Sequence, residues 1–313
     1  MKGFTLSIFT FSIKAKTPLY LPLYKGSTIR GGFGHALRRV CCVARKRDCV
    51  DCILRERCIY SLVFETPVPE DAKMMRRYPS APHPFVIDPP LDGQRLYEPG
   101  KILDFRLILI GRAVDYLPYF VYSFHKLGKI GIGRDKGKFL LQKVTSNSLQ
   151  GDGEVPVYNE EDKVLKSPCA PFAWSKIVEQ DPPESIRISF LTPTRIKYRG
   201  RLTKDVEFHV FFRNLLRRIS LLSYFHCGQT LNDHGFKELI DRAKGIRTTI
   251  HTLYWNDWER WSARQRTRMK LGGFIGDVTY EGDLRPFWPY IKLGEYVHVG
   301  KGSSFGLGRY EVR

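Results

Sequence analysis

In GFTLSIFTFSIKAK, residues 3–16, Phe4, Leu6 and Ile8 alternate with polar neighbours, and this two-residue period predicts a first β-strand over 3–14. A helical period follows. Ser27 or Thr28 can cap a helix through IRGGFGHALRRV, with Ile29, Phe33, Ala36, Leu37 and Val40 as its apolar stripe. IYSLVFE (59–65) reads as a strand, and the proline-rich residues 66–100 as a long irregular connection. LDFRLILIG (103–111) is a strongly apolar strand. DYLPYFVYSFHKLG (115–128) gathers Leu117, Phe120, Val121, Phe124 and Leu127 on one helical face, and GIGRDKGKFLLQKV (131–144) is a glycine loop running into a strand.

A polar stretch with prolines at 156, 168, 182 and 183 interrupts this pattern, after which the same order returns. ESIRISFLTPTRI is a strand, and DVEFHVFFRNLLRRISLLSYF (205–225) a helix on which Phe208, Phe211, Phe212, Leu215, Ile219 and Leu222 recur at helical spacing. HGFKELIDRAKG is a shorter helix ending at Gly245. Residues 246–262 and 274–280 read as strands, RPFWPYIKLGEY (285–296) as a short proline-bounded helix, and GLGRYEV as a closing strand. Both halves fit βαββαβ, which makes the chain an α+β protein of two tandem ferredoxin-like, RRM-like domains. The expected boundaries are 1–150 for the first domain, with a Cys-rich insertion at 41–58, a linker at 151–183, and 184–313 for the second. GIGR at 131–134 and GLGR at 306–309 stand at equivalent places, each before the last strand of its half.

Charge changes the picture. Lys and Arg number 51 against 32 Asp and Glu, a formal net charge of +19 that is not confined to a tail. Self-repulsion of that size is relieved by a polyanion, so nucleic acid is the expected partner. A membrane surface is not, because no basic amphipathic helix dominates and no apolar run reaches transmembrane length. The N-terminus carries Lys2 and an apolar stretch, but Thr5, Ser7, Thr10 and Ser12 interrupt it and Lys14 and Lys16 stand where a cleavage site would be, unlike a signal peptide. Seven cysteines, an odd number with five crowded between 41 and 58, suit a reducing compartment, and a cytoplasmic location is expected.

The chain ends in VGKGSSFGLGRYEVR, with Gly300, Gly302, Gly306 and Gly308 in a G-x-G-x3-G-x-G pattern. A dinucleotide-binding turn must open a helix, and only five residues follow Gly308. Two readings remain: an RNA-contacting loop, in which successive N–H groups form an anion nest beside Lys301, Ser303, Ser304 and Arg309, or a tight connection to a final strand. In KGSTIRGGFGHALRRV (25–40), His35 has Arg38 and Arg39 three and four residues on, with Tyr20, Tyr24 and Lys25 upstream. An imidazole flanked by cations and phenols has the parts for acid–base work on a phosphodiester, and nearby positive charge favours its neutral form. A histidine that only packs beside Phe33 and Leu37 is the plainer alternative. Arg30, Arg38 and Arg39 are candidate RNA contacts.

CCVARKRDCVDCILRERC (41–58) gives the spacing C-x6-C-x2-C-x5-C from Cys42. Cys42, Cys49, Cys52 and Cys58 can close a structural zinc site or remain free thiols. WERWSARQRTRMKLGG (258–273) sets Arg260, Arg264, Arg266, Arg268 and Lys270 near Trp258 and Trp261, a pairing suited to RNA phosphates and unstacked bases, or else to a solvated edge strand.

The paired βαββαβ halves, GSTIRGGFGHALR, RMKLGGFIGDVTYEGDL and the terminal GKGSSFGLGRYEV together resemble the CRISPR-associated endoribonucleases of the RAMP superfamily that process precursor CRISPR RNA. The Cys-rich insertion followed by IYSLVFE is similar to one branch of it. The resemblance covers most of the chain, excepting the stretches at 66–100 and 145–184. It implies a cut within the repeat RNA that needs no metal: a 2′-hydroxyl attacks the adjacent phosphorus, leaving a 2′,3′-cyclic phosphate and a 5′-hydroxyl. It implies His35 as the base, with Tyr20 or Tyr24 and Lys25 assisting, although no lysine follows His35 where some relatives have one. It also implies no catalytic cofactor, repeat RNA as partner, alone or with other effector-complex subunits, and a monomer or homodimer. The rival implication is a non-catalytic RNA-binding subunit with the same fold.

Overall fold

The computed structural model describes residues 3–44, 48–147, 153–174, 182–229, 233–262 and 267–313. The chain forms two units, Thr5–Phe172 and Ala173–Arg313, the latter with the N-terminal residues to Phe4.

In the first unit, β1 (Thr5–Ala15) is followed by α1 (Gly26–Cys41), β2 (Phe85–Asp88), β3 (Ile102–Ile110), α2 (Leu117–Ile130), β4 (Phe139–Asn147) and β5 (Glu154–Asn159). The sheet order is β2-β3-β1-β4-β5, all antiparallel. Without the added edge strand β5 this is the ferredoxin-like order. Phe9, Phe11 and Ile13 of β1 join the core beneath the helices. The helices meet through Phe33 of α1, stacked on Phe120 and Phe124 of α2 with ring centroids 4.7 and 5.3 Å apart.

Two expectations are corrected here. IYSLVFE is not the second strand: Ser61–Glu65 is a wide helical turn, closed by the Thr66 N–H on the Ser61 carbonyl. Tyr60 and Phe64 stack across it at 5.5 Å, a pair spaced for a helix rather than a strand. The second strand is instead Phe85–Asp88, inside the proline-rich stretch, where all four residues are buried. The expected linker at 151–183 is also partly structured, because β5 pairs with β4 and the first unit runs on to Phe172.

The second unit repeats the plan. Its elements are β6 (Ser185–Thr194), α3 (Phe208–His226), α4 (Asp233–Ala243), β7 (Arg247–His251), β8 (Tyr254–Asn256), β9 (Glu259–Ser262), β10 (Thr267–Lys270), β11 (Gly273–Glu281), α5 (Trp288–Val297) and β12 (Tyr310–Val312). The main sheet runs β7-β11-β6-β12, with β8 also on β11, and β9 and β10 form a separate antiparallel pair. The expected α3 stripe is buried throughout: Phe208, Phe211, Phe212, Leu215, Ile219 and Leu222. The architecture is thus α+β, with two ferredoxin-like sheets of the same strand order. No helix among the described residues is long and apolar enough to cross a membrane.

Candidate active site

The exposed side of α1 is set by what its other side buries. Ile29, Phe33, Ala36 and Leu37 face the core, and Gly32 lies under the Leu127 side chain of α2. Gly31, His35 and Arg39, four apart, form an exposed stripe. Burial, then the Arg39 and Lys136 cations, hold the His35 imidazole below its ordinary value of 6.5. At neutral pH the ring is therefore uncharged, as a proton acceptor must be.

Lys136 comes from the loop after α2. In GIGRDKG, Gly131, Gly133, Asp135 and Lys136 all have positive φ, at 96°, 77°, 51° and 50°. Non-glycine residues in that region cost energy and are held there only by their surroundings. The restraint is visible. A Cβ at Gly133 would collide with the Tyr20 carbonyl oxygen, and one at Gly137 with that of Pro18. The Ile132 N–H donates to the Gly137 carbonyl at 2.9 Å. The loop is thus pressed onto the backbone of Pro18–Leu21, part of which, Leu19–Tyr20, pairs with Leu96–Tyr97. Tyr20 is 44% exposed there, while Tyr24 is half-buried just before α1.

Lys25 is elsewhere engaged. Its side chain is wholly buried, and Nζ lies 2.8 Å from Asp92 Oδ1 and 5.9 Å from the Tyr97 ring centroid. Buried and ion-paired, it is positioned as a structural cation, contrary to the expectation that it assists His35. Arg30 and Arg38 are likewise engaged. Arg30 Nη2 is 2.7 Å from His83 Nε2, with its guanidinium 4.3 Å from the Phe64 ring centroid, and Arg38 lies 5.9 Å from the Tyr60 ring centroid. Of the three α1 arginines expected at RNA, Arg39 is the exposed one.

The C-terminal glycines keep their conformational role and lose part of their expected chemical one. Gly300, Gly302, Gly306 and Gly308 all have positive φ, between 73° and 84°. A Cβ at Gly308 would collide with the Val299 carbonyl, and one at Gly300 would crowd Arg195. The N–H groups of Lys301, Phe305, Gly306 and Gly308 donate to Arg195, Gly302, Ser303 and Pro193 carbonyls, so those four are not free to form an anion nest. Ser303 and Ser304 are buried in the turn between the two left-handed glycines, and Ser303 Oγ donates to the Gly300 carbonyl at 3.2 Å. The Lys301 side chain remains exposed. Arg309 is ion-paired to Glu311 at 3.0 Å. The echo between the two glycine loops is physical: Gly131 and Gly133, like Gly306 and Gly308, are left-handed pairs ahead of the last core strand of their units.

Arg264 and Arg266 lie outside the described residues, and Arg268 and Lys270 are on β10. Among the described residues no group of three or more His, Cys, Asp or Glu side chains, Cys42, Cys49, Cys52 and Cys58 included, is placed close enough together to hold a metal ion. Burial, with Cys58 nearby, pushes the Cys41 thiol up to about 11, and burial followed by Glu65 raises that of Cys49.

Sequence reasoning missed Lys136. Its signal was present in the glycine loop GIGRDKG, but α1 and that loop are far apart in sequence, and only packing joins them.

Two ferredoxin-like units, a left-handed glycine loop before the last strand and an exposed helical histidine among cations define an RNA-handling class of fold. Known proteins agree. Residues 4–170 match the N-terminal domain family AF_1859_N, and residues 188–310 match CRISPR-associated endoribonuclease Cas6. The chain belongs to the AF_1859_N family, whose N-terminal domain covers more than half of its length, and its second half carries the CRISPR-associated endoribonuclease Cas6 domain. An uncharacterized protein of Archaeoglobus fulgidus is 24% identical over 319 residues, spanning 99% of both chains. Among solved structures, Thermus thermophilus Cas6 superposes with a TM-score of 0.57 at 15% identity, and a product complex of that Cas6 with 0.60 at 15%, each over 99% of both chains. A partial Cas6-RT-Cas1–Cas2 complex gives 0.60 at 16%, over 99% of this chain and 46% of that one. At such identities these likenesses speak to the fold.

Proposed function

We propose that the protein cuts precursor CRISPR RNA within its repeats by metal-independent attack of a 2′-hydroxyl on the adjacent phosphorus. His35 takes the 2′-hydroxyl proton, the O2′–P bond forms and the P–O5′ bond breaks. The departing 5′ oxygen takes a proton from the exposed Tyr20 hydroxyl, which solvent then restores, and His35 releases its own proton to water. The products are a 2′,3′-cyclic phosphate and a 5′-hydroxyl. Arg39 and Lys136 stabilise the extra negative charge on the phosphorane oxygens, an electrostatic role that is usually among the largest in such reactions. On the second unit, Lys301, Arg268 and Lys270 contribute contacts to RNA phosphates.

The observation that carries this reading is the exposed His35 between Arg39 and Lys136, with its imidazole held neutral. The test is a labelled repeat RNA incubated with the protein in EDTA, beside the same RNA with a 2′-deoxy nucleotide upstream of the cut. Cleavage of the all-ribose RNA alone is expected. Cleavage of the deoxy RNA would overturn the mechanism. Tight binding of the all-ribose RNA with no cleavage would identify a non-catalytic RNA-binding subunit.

A further inference from the structure

The outer face of α2 holds two large aromatic rings that the fold does not use. Phe120, Val121, Phe124 and Leu127 are buried, while Tyr119 and Tyr122 are 39% and 48% exposed. Single exposed tyrosines are ordinary, but these are not isolated. Tyr119, Tyr122, Lys126 and Lys129 follow one another at three- and four-residue steps, so they share a stripe. Lys126 Nζ lies 5.1 Å from the Tyr122 ring centroid, and the His125 ring lies parallel to it, 6.3 Å away at 9°. The neighbouring acid, Glu160, is already engaged by the Tyr158 hydroxyl at 2.8 Å and by His125 at 3.5 Å.

The stripe has a direction. The ten residue steps of helix from Tyr119 to Lys129 rise about 15 Å, and α2 then passes through Gly131 directly into the loop that carries Lys136, whose charge acts on His35. Cations alternating with exposed aromatic rings are the surface that single-stranded nucleic acid requires, the rings taking base faces and the ammonium groups the phosphates. A protein partner would find here a narrow line of charge rather than a broad apolar patch.

We propose that the α2 face binds single-stranded RNA flanking the cleavage site, with bases stacked on Tyr122 and Tyr119 and phosphates held by Lys126 and Lys129. The site rests on the RNA-cleaving reading above and deepens it, because it supplies a track leading away from the scissile phosphate. The track makes affinity depend on unpaired nucleotides on one side of the cut and is indifferent to their sequence, since every base presents a stacking face.

The experiment measures Kd in EDTA for repeat RNA made uncleavable by a 2′-deoxy at the cut, full-length and shortened stepwise from either end. The proteins are the wild type, Tyr119→Ala/Tyr122→Ala and Tyr119→Phe/Tyr122→Phe. The double alanine variant is expected to bind full-length RNA about tenfold or more weakly, and the phenylalanine variant close to wild type, because the ring is what stacks. On RNA shortened from one end past the stacked bases, the alanine variant and wild type should bind equally, the signature of a shared interaction. Equal binding of full-length RNA by all three proteins would overturn the proposal, as would a loss that persists on every shortened RNA. In either case, cleavage of the all-ribose repeat by wild type would leave the nuclease reading standing. A wild type that neither binds nor cuts repeat RNA would overturn both.

Discussion

Replacing Asp92 by asparagine tests the assignment of Lys25 as a structural cation. The Lys25 side chain is 0% exposed and that of Asp92 40%, with Nζ and Oδ1 2.8 Å apart. Asp92 also accepts from the Gln94 N–H at 3.1 Å and from the Tyr97 hydroxyl at 3.1 Å. Stranding one member of a buried ion pair costs about 3–5 kcal/mol. Here water reaches one side of the carboxylate and the asparagine carbonyl can still accept a hydrogen bond, so the cost falls below that range, to about 2–3 kcal/mol. For a unit of this size that is a fall in Tm of about 5–10 °C.

The pH dependence has a definite sign. Burial alone would raise the Asp92 carboxyl, but hydrogen bonds from Lys25, Gln94 and Tyr97 outweigh it and hold it below its ordinary value of 3.8. Its stabilisation is present at neutral pH and is lost as pH falls through the folded-state value. Thermal unfolding of wild type and Asp92→Asn should therefore differ most near pH 7 and converge in strong acid. Lys25→Met/Asp92→Asn should recover much of the loss, because no buried charge remains. A shift under about 1 °C at pH 7 would refute the reasoning. So would a Lys25→Met protein that folds with normal stability yet cannot cut RNA, because Lys25 would then belong to the chemistry.

The acid limb of the cleavage rate should lie below the ordinary imidazole value of 6.5, and Lys136→Ala should move it to higher pH while slowing the reaction, since a cation that holds His35 neutral has gone; an unmoved limb in a pH–rate profile would remove Lys136 from the site. Gly31→Ala should stabilise the protein by about 0.4–1 kcal/mol, because nothing lies within 4 Å of the added Cβ in an exposed helix. Gly34→Ala should destabilise it by about 1–3 kcal/mol, because the new methyl would overlap the Phe64 ring; urea titration of both variants checks this, and equal effects would contradict the packing of α1. Cys41, with its thiol near 11, should alkylate at pH 8 at least about tenfold more slowly than a free thiol. Rapid alkylation, or stoichiometric zinc by elemental analysis, would show thiolates where the structure has thiols.

Much of this protein is written in short windows of sequence. β1, β3, α1, α2 and α3 each carry their period within one segment, and a period of two or 3.6 needs no distant partner to be read. The glycine pairs at 131–133 and 306–308 are legible for the same reason, since a left-handed backbone is a local requirement. Phe85–Asp88 is an exception, too short for a period and surrounded by prolines, and becomes a strand by pairing with β3, as Glu154–Asn159 does by pairing with β4. IYSLVFE fails the other way, because its apolar residues suit either period and packing beside α1 decided for the helical turn.

The site divides along the same line. His35 and Arg39 share one helix, and their proximity follows from a spacing of four. Lys136 reaches them because α2 packs on α1 and the loop after it is fixed against Pro18–Leu21. Lys25 is withdrawn from them by Asp92, and the terminal serines are turned inward by left-handed glycines on both sides of them. The sequence by itself determined two ferredoxin-like units, a basic surface and the helix that bears the histidine. Tertiary structure alone decided that Lys136 joins Arg39 near that histidine, because charge acts through space and this second cation is brought by packing between segments remote in the chain.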